Sequence, residues 1–355
     1  LEVGQPSTAA PAKVIAAARA ALTGDVIGYT DAYGLMALRE RISDHYAAEY
    51  GVSADPRRIA VTTGSSGAFI LSFLAAFEAG DRVVCATPGY PAYRNILQAL
   101  GVEVVIVESG PETNYQPTPA LLDAVEGSLD GLIVASPSNP TGAMIGGEGL
   151  KALADYCRKR GMRLISDEIY HGITYAAPAE TALSYDETCI VVNSFSKYFS
   201  MTGWRLGWMV VPEDLLRSVE CLAQNLFISP PTLSQLACVA AFDSRDELDA
   251  NVARYAENRK LLLRELPKAG FDKLAAADGA FYIYADVTRM TNDSRALCGQ
   301  ILDQTGVAIT PGVDFDPRRG NRFVRFSFSG SSEDMALAAE RLIAWRMSYN
   351  NPKDH

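Results

Sequence analysis

Four short polar clusters in this sequence carry residue types that can do chemistry: Ser-Pro-Ser-Asn139-Pro-Thr-Gly, Ile-Ser-Asp167-Glu-Ile-Tyr170, Val-Asn-Ser194-Phe-Ser196-Lys197 and Gly203-Trp-Arg205. The first three each end an apolar run that reads as a β-strand, and the fourth precedes one. Mostly parallel sheets gather ligand groups at the carboxyl ends of their strands, so all four clusters are expected to line one crevice. That places an amide, a carboxylate, a phenol, a lysine, hydroxyls and an arginine together. The set suits pyridoxal phosphate. This cofactor needs a lysine to hold it as a Schiff base and to shuttle a proton, a role for Lys197. It needs a carboxylate at its pyridine nitrogen to keep the ring protonated, a role for Asp167. Asn139 and Tyr170 suit the ring 3-oxygen. Ser194, Ser196 and Arg205 suit the phosphate dianion. Thr63-Gly-Ser65-Ser66-Gly67 opens a helix whose free N–H groups would face the same anion.

The elements that must position these groups are legible as alternating patterns. Strands are expected over 58–62, 82–86, 102–107, 132–135, 163–166, 190–193 and 206–211. Helical patterns fall at 68–78, 93–100, 119–126 and 147–160. The strands are continuously apolar rather than alternating, as in a sheet covered on both faces. The fold class expected is α/β, a large, mostly parallel sheet domain with helices on both faces, followed by a smaller α+β domain. The divisions expected are an N-terminal segment over 1–25, packing with the small domain, a large domain over 26–245 and a small domain over 246–355. A long helix over 247–266 would link the two domains. Further helices are expected at 212–224, 233–242, 295–305 and 333–345, and strands at 280–285 and 322–327.

Composition narrows the function classes. A net charge of −10 disfavours phosphate-backbone binding, so no nucleic-acid partner is expected. The longest apolar run, 68–77, is broken by Ser72 and is far too short to span a bilayer, so no membrane partner is expected. The six cysteines are scattered and read as buried thiols of a cytoplasmic protein. With only three histidines, no metal site is expected.

The run Ser194-Phe-Ser-Lys197-Tyr-Phe-Ser-Met-Thr-Gly-Trp-Arg205-Leu-Gly resembles the lysine signature of class I/II aminotransferases of fold type I. The resemblance extends in order from Gly4-Gln-Pro6 through Tyr29-Thr-Asp-Ala-Tyr-Gly34, Pro88-Gly-Tyr90-Pro-x-Tyr93, Asn139-Pro-Thr-Gly142 and Asp167-Glu-x-Tyr170 to Phe323-Val-Arg325-Phe-Ser. It implies that Tyr90 stacks on the pyridine ring and that Ser65 and Ser66 bind phosphate. It implies that Tyr29 reaches the phosphate of a neighbouring subunit, hence a homodimer. It places Gly4, Asn139 and Arg325 at the substrate, with Arg325 gripping the α-carboxylate by its planar fork. The glycine-rich turn reads Gly-Ser-Ser-Gly here, a departure that blurs its individual donors. No second arginine is evident for a dicarboxylic side chain.

The reaction expected is ping-pong transfer of an amino group from an L-amino acid to a 2-oxo acid. Lys197, its pKa lowered by buried cationic surroundings, would take the Cα proton and then protonate the cofactor's C4′ carbon. Tyr170 and Asp167 complete the catalytic set. A lyase performing β-elimination on the same fold is the nearest alternative. The effector domain of a transcription regulator is another, but it would need a basic helix-turn-helix module ahead of residue 1.

Overall fold

The computed structural model describes residues 1–24 and 26–349. Asp25, which ends the expected N-terminal segment, and residues 350–355, which end the expected small domain, lie outside the described residues.

Seven strands form the larger sheet: β1 (Ile59–Thr62), β2 (Arg82–Thr87), β3 (Glu103–Glu108), β4 (Gly131–Ala135), β5 (Arg163–Asp167), β6 (Ile190–Ser194) and β7 (Gly207–Val210). Their order is β1-β7-β6-β5-β4-β2-β3. Strands β2 to β6 run parallel, and β7 opposes both β6 and β1. Successive side chains in a strand point to opposite faces. Leu132, Val134, Val191 and Trp208 accordingly enter one core, and Ile133, Ile190, Val192 and Met209 enter the other. Both faces are covered, which is why the strands read as unbroken apolar runs.

The helix expected over 68–78 begins earlier, as Gly64–Ala76. Its first residues are small and polar, so apolar periodicity registers only from Ala68 onward. The helix expected over 119–126 is shorter, Pro119–Asp123, and is capped by the Thr118 hydroxyl accepting from the Leu121 N–H. Helices Ala12–Gly24 and Met36–Tyr50 were not expected. The first buries only Val14, Ala18 and Ala21, so alanines hide its stripe.

A second, antiparallel sheet has the order β10-β11-β9-β8, formed by β8 (Lys273–Leu274), β9 (Tyr282–Asp286), β10 (Thr310–Pro311) and β11 (Phe323–Ser327). β8 and β10 are two residues each, too short to leave a pattern. Phe271, Phe281, Ile283, Phe326 and Phe328 form its core with helices Arg245–Glu265, Ser294–Thr305 and Ser332–Tyr349. The extended residues at the start of the chain are tied to this sheet. The Ser327 N–H donates to the Leu1 carbonyl at 2.7 Å, and the Ser329 hydroxyl donates to the Gln5 carbonyl at 2.7 Å. No helix among the described residues is long and apolar enough to cross a membrane.

Candidate active site

The polar clusters meet because of strand register. Asp167 ends β5, paired with Ala135 at the end of β4. Ser194 ends β6, opposite Gly207 at the start of β7. Because β7 runs backwards, its beginning lies where the parallel strands finish, which brings Arg205 to the same edge. A cavity of about 260 Å³ opens there. Gly4, Ser65, Ser66, Tyr90, Asn139, Asp167, Tyr170, Ser196, Lys197, Arg205 and Arg325 all line it. Ser194 and Tyr29 do not. Ser194 is buried behind Ser196, its Oγ 2.9 Å from the Ser196 Oγ and accepting from the Ser196 N–H at 3.0 Å. Tyr29 is 82% exposed.

The Lys197 ammonium is removed from water. Its Nζ donates to the Gly4 carbonyl at 2.6 Å and sits 5.6 Å from the Tyr170 ring centre. Burial, and then the nearby Arg325 charge, lower its pKa from 10.5 to about 8, with Asp167 pulling the other way. Asp167 is buried as well. Burial pushes it up to about 6, against hydrogen bonds from the Tyr93 hydroxyl and the Ile169 N–H (3.1 Å) and the charge of Lys197.

Arg325 projects from β11. Its Nη1 donates to Asn139 Oδ1 at 2.8 Å, and its Nη2 donates to the Glu2 carbonyl at 2.6 Å and to Thr310 Oγ1 at 3.2 Å. Its Nε is buried and has no hydrogen-bond partner among the described residues. The guanidinium lies 4.4 Å from the Tyr282 ring centre, and the Tyr282 hydroxyl meets the Tyr170 hydroxyl at 2.7 Å.

The opposite end of the cavity gathers hydrogen-bond donors and a positive charge. Helix Gly64–Ala76 begins there, and its preceding residue, Thr63, makes no side-chain capping bond. The first N–H groups of such a helix are free donors carrying partial positive charge. Ser65 and Ser66 sit on that first turn, and Arg205 reaches across it. A Cβ built on Gly64 would lie 2.4 Å from Arg205 Nη2, so a side chain at this position would displace the guanidinium, and its φ of +67° favours glycine as well.

The family model for aminotransferase class I and II matches residues 1–342. The chain belongs to aminotransferase class I and II. The valine–pyruvate aminotransferase of Mycobacterium tuberculosis is 51% identical to this aminotransferase over 97% of this chain and 90% of that protein. The aspartate/prephenate aminotransferase of Thermus thermophilus is 33% identical over 96% and 89%. A crystal structure of an aminotransferase from M. tuberculosis superposes with a TM-score of 0.96 at 51% identity, covering 98% of this chain and 90% of that one.

Sequence reasoning gave this aminotransferase no site role for Tyr93 or Thr202. Thr202 lines the cavity, and its hydroxyl donates to the Ser196 carbonyl at 3.2 Å. Tyr282 also lines the cavity, where its hydroxyl meets that of Tyr170. His171, beside Tyr170 in sequence, faces away, with its Nδ1 2.8 Å from the Tyr50 hydroxyl.

Proposed function

We propose that this aminotransferase uses pyridoxal phosphate to move the amino group of a neutral L-amino acid to a 2-oxo acid, in two half-reactions centred on Lys197. The observation that carries the reading is one small cavity sharing a lysine, a buried carboxylate, a buried arginine and an uncapped helix start. The residues fit the cofactor. Ser65, Ser66, Ser196, Arg205 and the helix N–H groups would hold the phosphate, with Ser194 fixing the Ser196 turn. Asp167 would pair with the ring nitrogen, Tyr90 would stack on the ring, and Asn139 and Tyr170 would take the 3-oxygen. Lys197 Nζ would hold the aldehyde carbon. When bound, the cofactor supplies an electron sink that makes the substrate Cα–H bond acidic.

The chain's own groups do the rest. Arg325, flanked by Asn139 and Gly4, orients the substrate carboxylate, and the unpartnered Nε adds a spare donor. Lys197 Nζ, lowered to about 8, is partly neutral near neutral pH and would take the proton from Cα and deliver it to the carbon that carried the cofactor's aldehyde, which moves the amino group off the substrate. Among the described residues of this chain, the cations lining the cavity are Lys197, Arg205 and Arg325, and all three have these roles already. Pro137, Ile169 and the Tyr282 ring supply apolar surface to a cavity that is otherwise mostly polar. The name of the 51% identical relative, a valine–pyruvate aminotransferase, supports the same substrate class. Tyr29, exposed on its own chain, is read as a contribution to the cavity of a second subunit.

Lys197→Ala tests the reading. The variant mixed with cofactor should lack the visible absorption band of the lysine-bound form, and turnover should fall by about 10³-fold or more. Turnover equal to that of the parent overturns it. In the parent, each amino acid added singly should bleach that band only if it is a donor, and neutral ones should do so fastest.

A further inference from the structure

A second cavity, of about 250 Å³, lies behind the lysine and shares no lining residue with the candidate active site. The two back onto one another through sequence neighbours. Tyr170 and Lys197 line the first, and His171, Tyr198 and Phe199 line the second. Rings and hydrogen-bonding groups share its wall. Trp208 of β7, Phe199, Tyr198 and Phe242 supply rings, and Leu248 of helix Arg245–Glu265 adds an aliphatic face. The imidazoles inside are neutral near neutral pH, because burial lowers His45 to about 4 and His171 to about 3. His171 commits its Nδ1 to the Tyr50 hydroxyl at 2.8 Å. The His45 ring packs against Trp208 and Phe242 at 6.4 and 5.4 Å, and it makes no side-chain hydrogen bond among the described residues. A neutral imidazole carries one donor and one acceptor, so His45 has both to offer. Charge lies on the exposed side, where Arg245 pairs with Glu49 and approaches Asp249 at 3.5 Å.

We propose that this cavity is a regulatory site for a neutral, planar molecule of one or two aromatic rings bearing an N–H or O–H donor, which the free nitrogen of His45 accepts. The surrounding rings select a flat apolar body, since offset and edge-on packing both need a π-face. The uncommitted acceptor inside selects the donor. An ionised ligand is disfavoured. Glu49, Arg245 and Asp249 are engaged with one another, so a buried ligand charge would find no free partner. The occupant would touch Tyr198 and Phe199, the two residues that follow Lys197. It would also touch the first turns of helix Arg245–Glu265, which packs on the second sheet and is tied to the lysine loop by the Tyr198 hydroxyl donating to Asp249 Oδ1 at 2.6 Å. Lys197 must carry a proton between two carbons, so a wedge that fixes the residues behind it should slow turnover without entering the substrate's cavity. The binding site stands without the cofactor reading, whereas its effect on turnover rests on that reading.

Indole is the probe, and 1-methylindole is the same body without the donor. Calorimetry on the protein incubated with pyridoxal phosphate should show saturable indole binding, with 1-methylindole about 3–10-fold weaker. His45→Phe keeps a ring and removes the acceptor, so the two probes should bind that variant alike. Ala241 lines the cavity from a fully buried position, and Ala241→Leu should fill the space and abolish binding of both. Indole should lower the parental kcat at saturating amino donor without raising the KM for that donor, and should leave Ala241→Leu unaffected. Binding that survives Ala241→Leu, or that the amino donor displaces, overturns the assignment, and so does a soaked crystal with only water in the cavity. Indole bound there with kcat unmoved overturns the regulatory role. Should Ala241→Leu fail to fold, His45→Phe decides, because a preference for indole retained in that variant defeats the proposal. Indole binding of this pattern in a protein that never takes up pyridoxal phosphate upholds the binding site and defeats the cofactor reading instead.

Discussion

A guanidinium proposed to take up and release a carboxylate needs donors that are not all committed, and Arg325 has this character. It is held by Asn139 Oδ1, the Glu2 carbonyl and Thr310 Oγ1, yet its buried Nε–H is unpartnered. The neighbouring Tyr282 and Phe315 rings, 4.4 and 4.8 Å from the guanidinium carbon, fix its plane. Lysine keeps the charge but loses the fork and the stacking. Arg325→Lys should therefore lower kcat/KM for amino donors about 10–100-fold while leaving cofactor affinity near that of the parent. Steady-state kinetics alongside a cofactor titration checks this, and an unchanged kcat/KM would assign the carboxylate to another group. Residues of this kind are legible in a sequence because an arginine inside an apolar strand, as in Phe-Val-Arg325-Phe-Ser, needs a reason. Tyr93 is not legible, since a tyrosine on an aromatic helix face reads as ordinary core. Only its contact with Asp167 separates the two readings.

At the level of elements, the site depends on where strands begin and end. Gly207 starts β7 between Ser194 of β6 and Thr62 of β1. A Cβ there would lie 2.8 Å from the Asn193 carbonyl oxygen and 2.9 Å from both the Gly64 carbonyl carbon and the Ser65 nitrogen. These are backbone atoms, which cannot swing aside. Gly207→Ala should push the start of helix Gly64–Ala76 away from the sheet, costing about 1–3 kcal/mol of stability and weakening retention of the phosphorylated cofactor. Thermal unfolding and a cofactor-binding titration measure the two effects, and a variant with parental cofactor affinity would show that the first turn of the helix does not set the anion site. The order of the strands is beyond sequence reading, because apolar runs carry no partner information. The reversed direction of β7 is likewise invisible, although Arg205, just ahead of it, lines the cavity with the other clusters. Motifs at strand ends survive such ignorance, since the edge they share does not depend on which strand neighbours which. The helix Ala12–Gly24 was missed for the opposite reason: its buried face is mostly alanine and methyl-sized contacts give little periodic signal.

The molecule as a whole raises the question of Tyr29. It stands 82% exposed, close to Val26 at 92% and Ile27 at 46%, so an apolar stretch projects from the chain next to a residue expected at an active site. Apolar surface of this kind is covered in an isologous homodimer, where each subunit presents the same patch to the other. If Tyr29 completes the partner's phosphate site, the two halves of one active site reside on different chains, and this has a measurable consequence. Lys197→Ala and Tyr29→Ala proteins should each be impaired alone. After unfolding and refolding together in equal amounts, half of the dimers are mixed. In a mixed dimer, one site pairs an intact Lys197 with an intact Tyr29, and the other site has neither. Activity should thus recover to about one quarter of the parental value, set by symmetry alone. A Tyr29 that served its own subunit, or no subunit, would give no recovery beyond the average of the two separate proteins. The size of the recovery therefore reports on which chain each catalytic group belongs to, something that no single-chain measurement can supply.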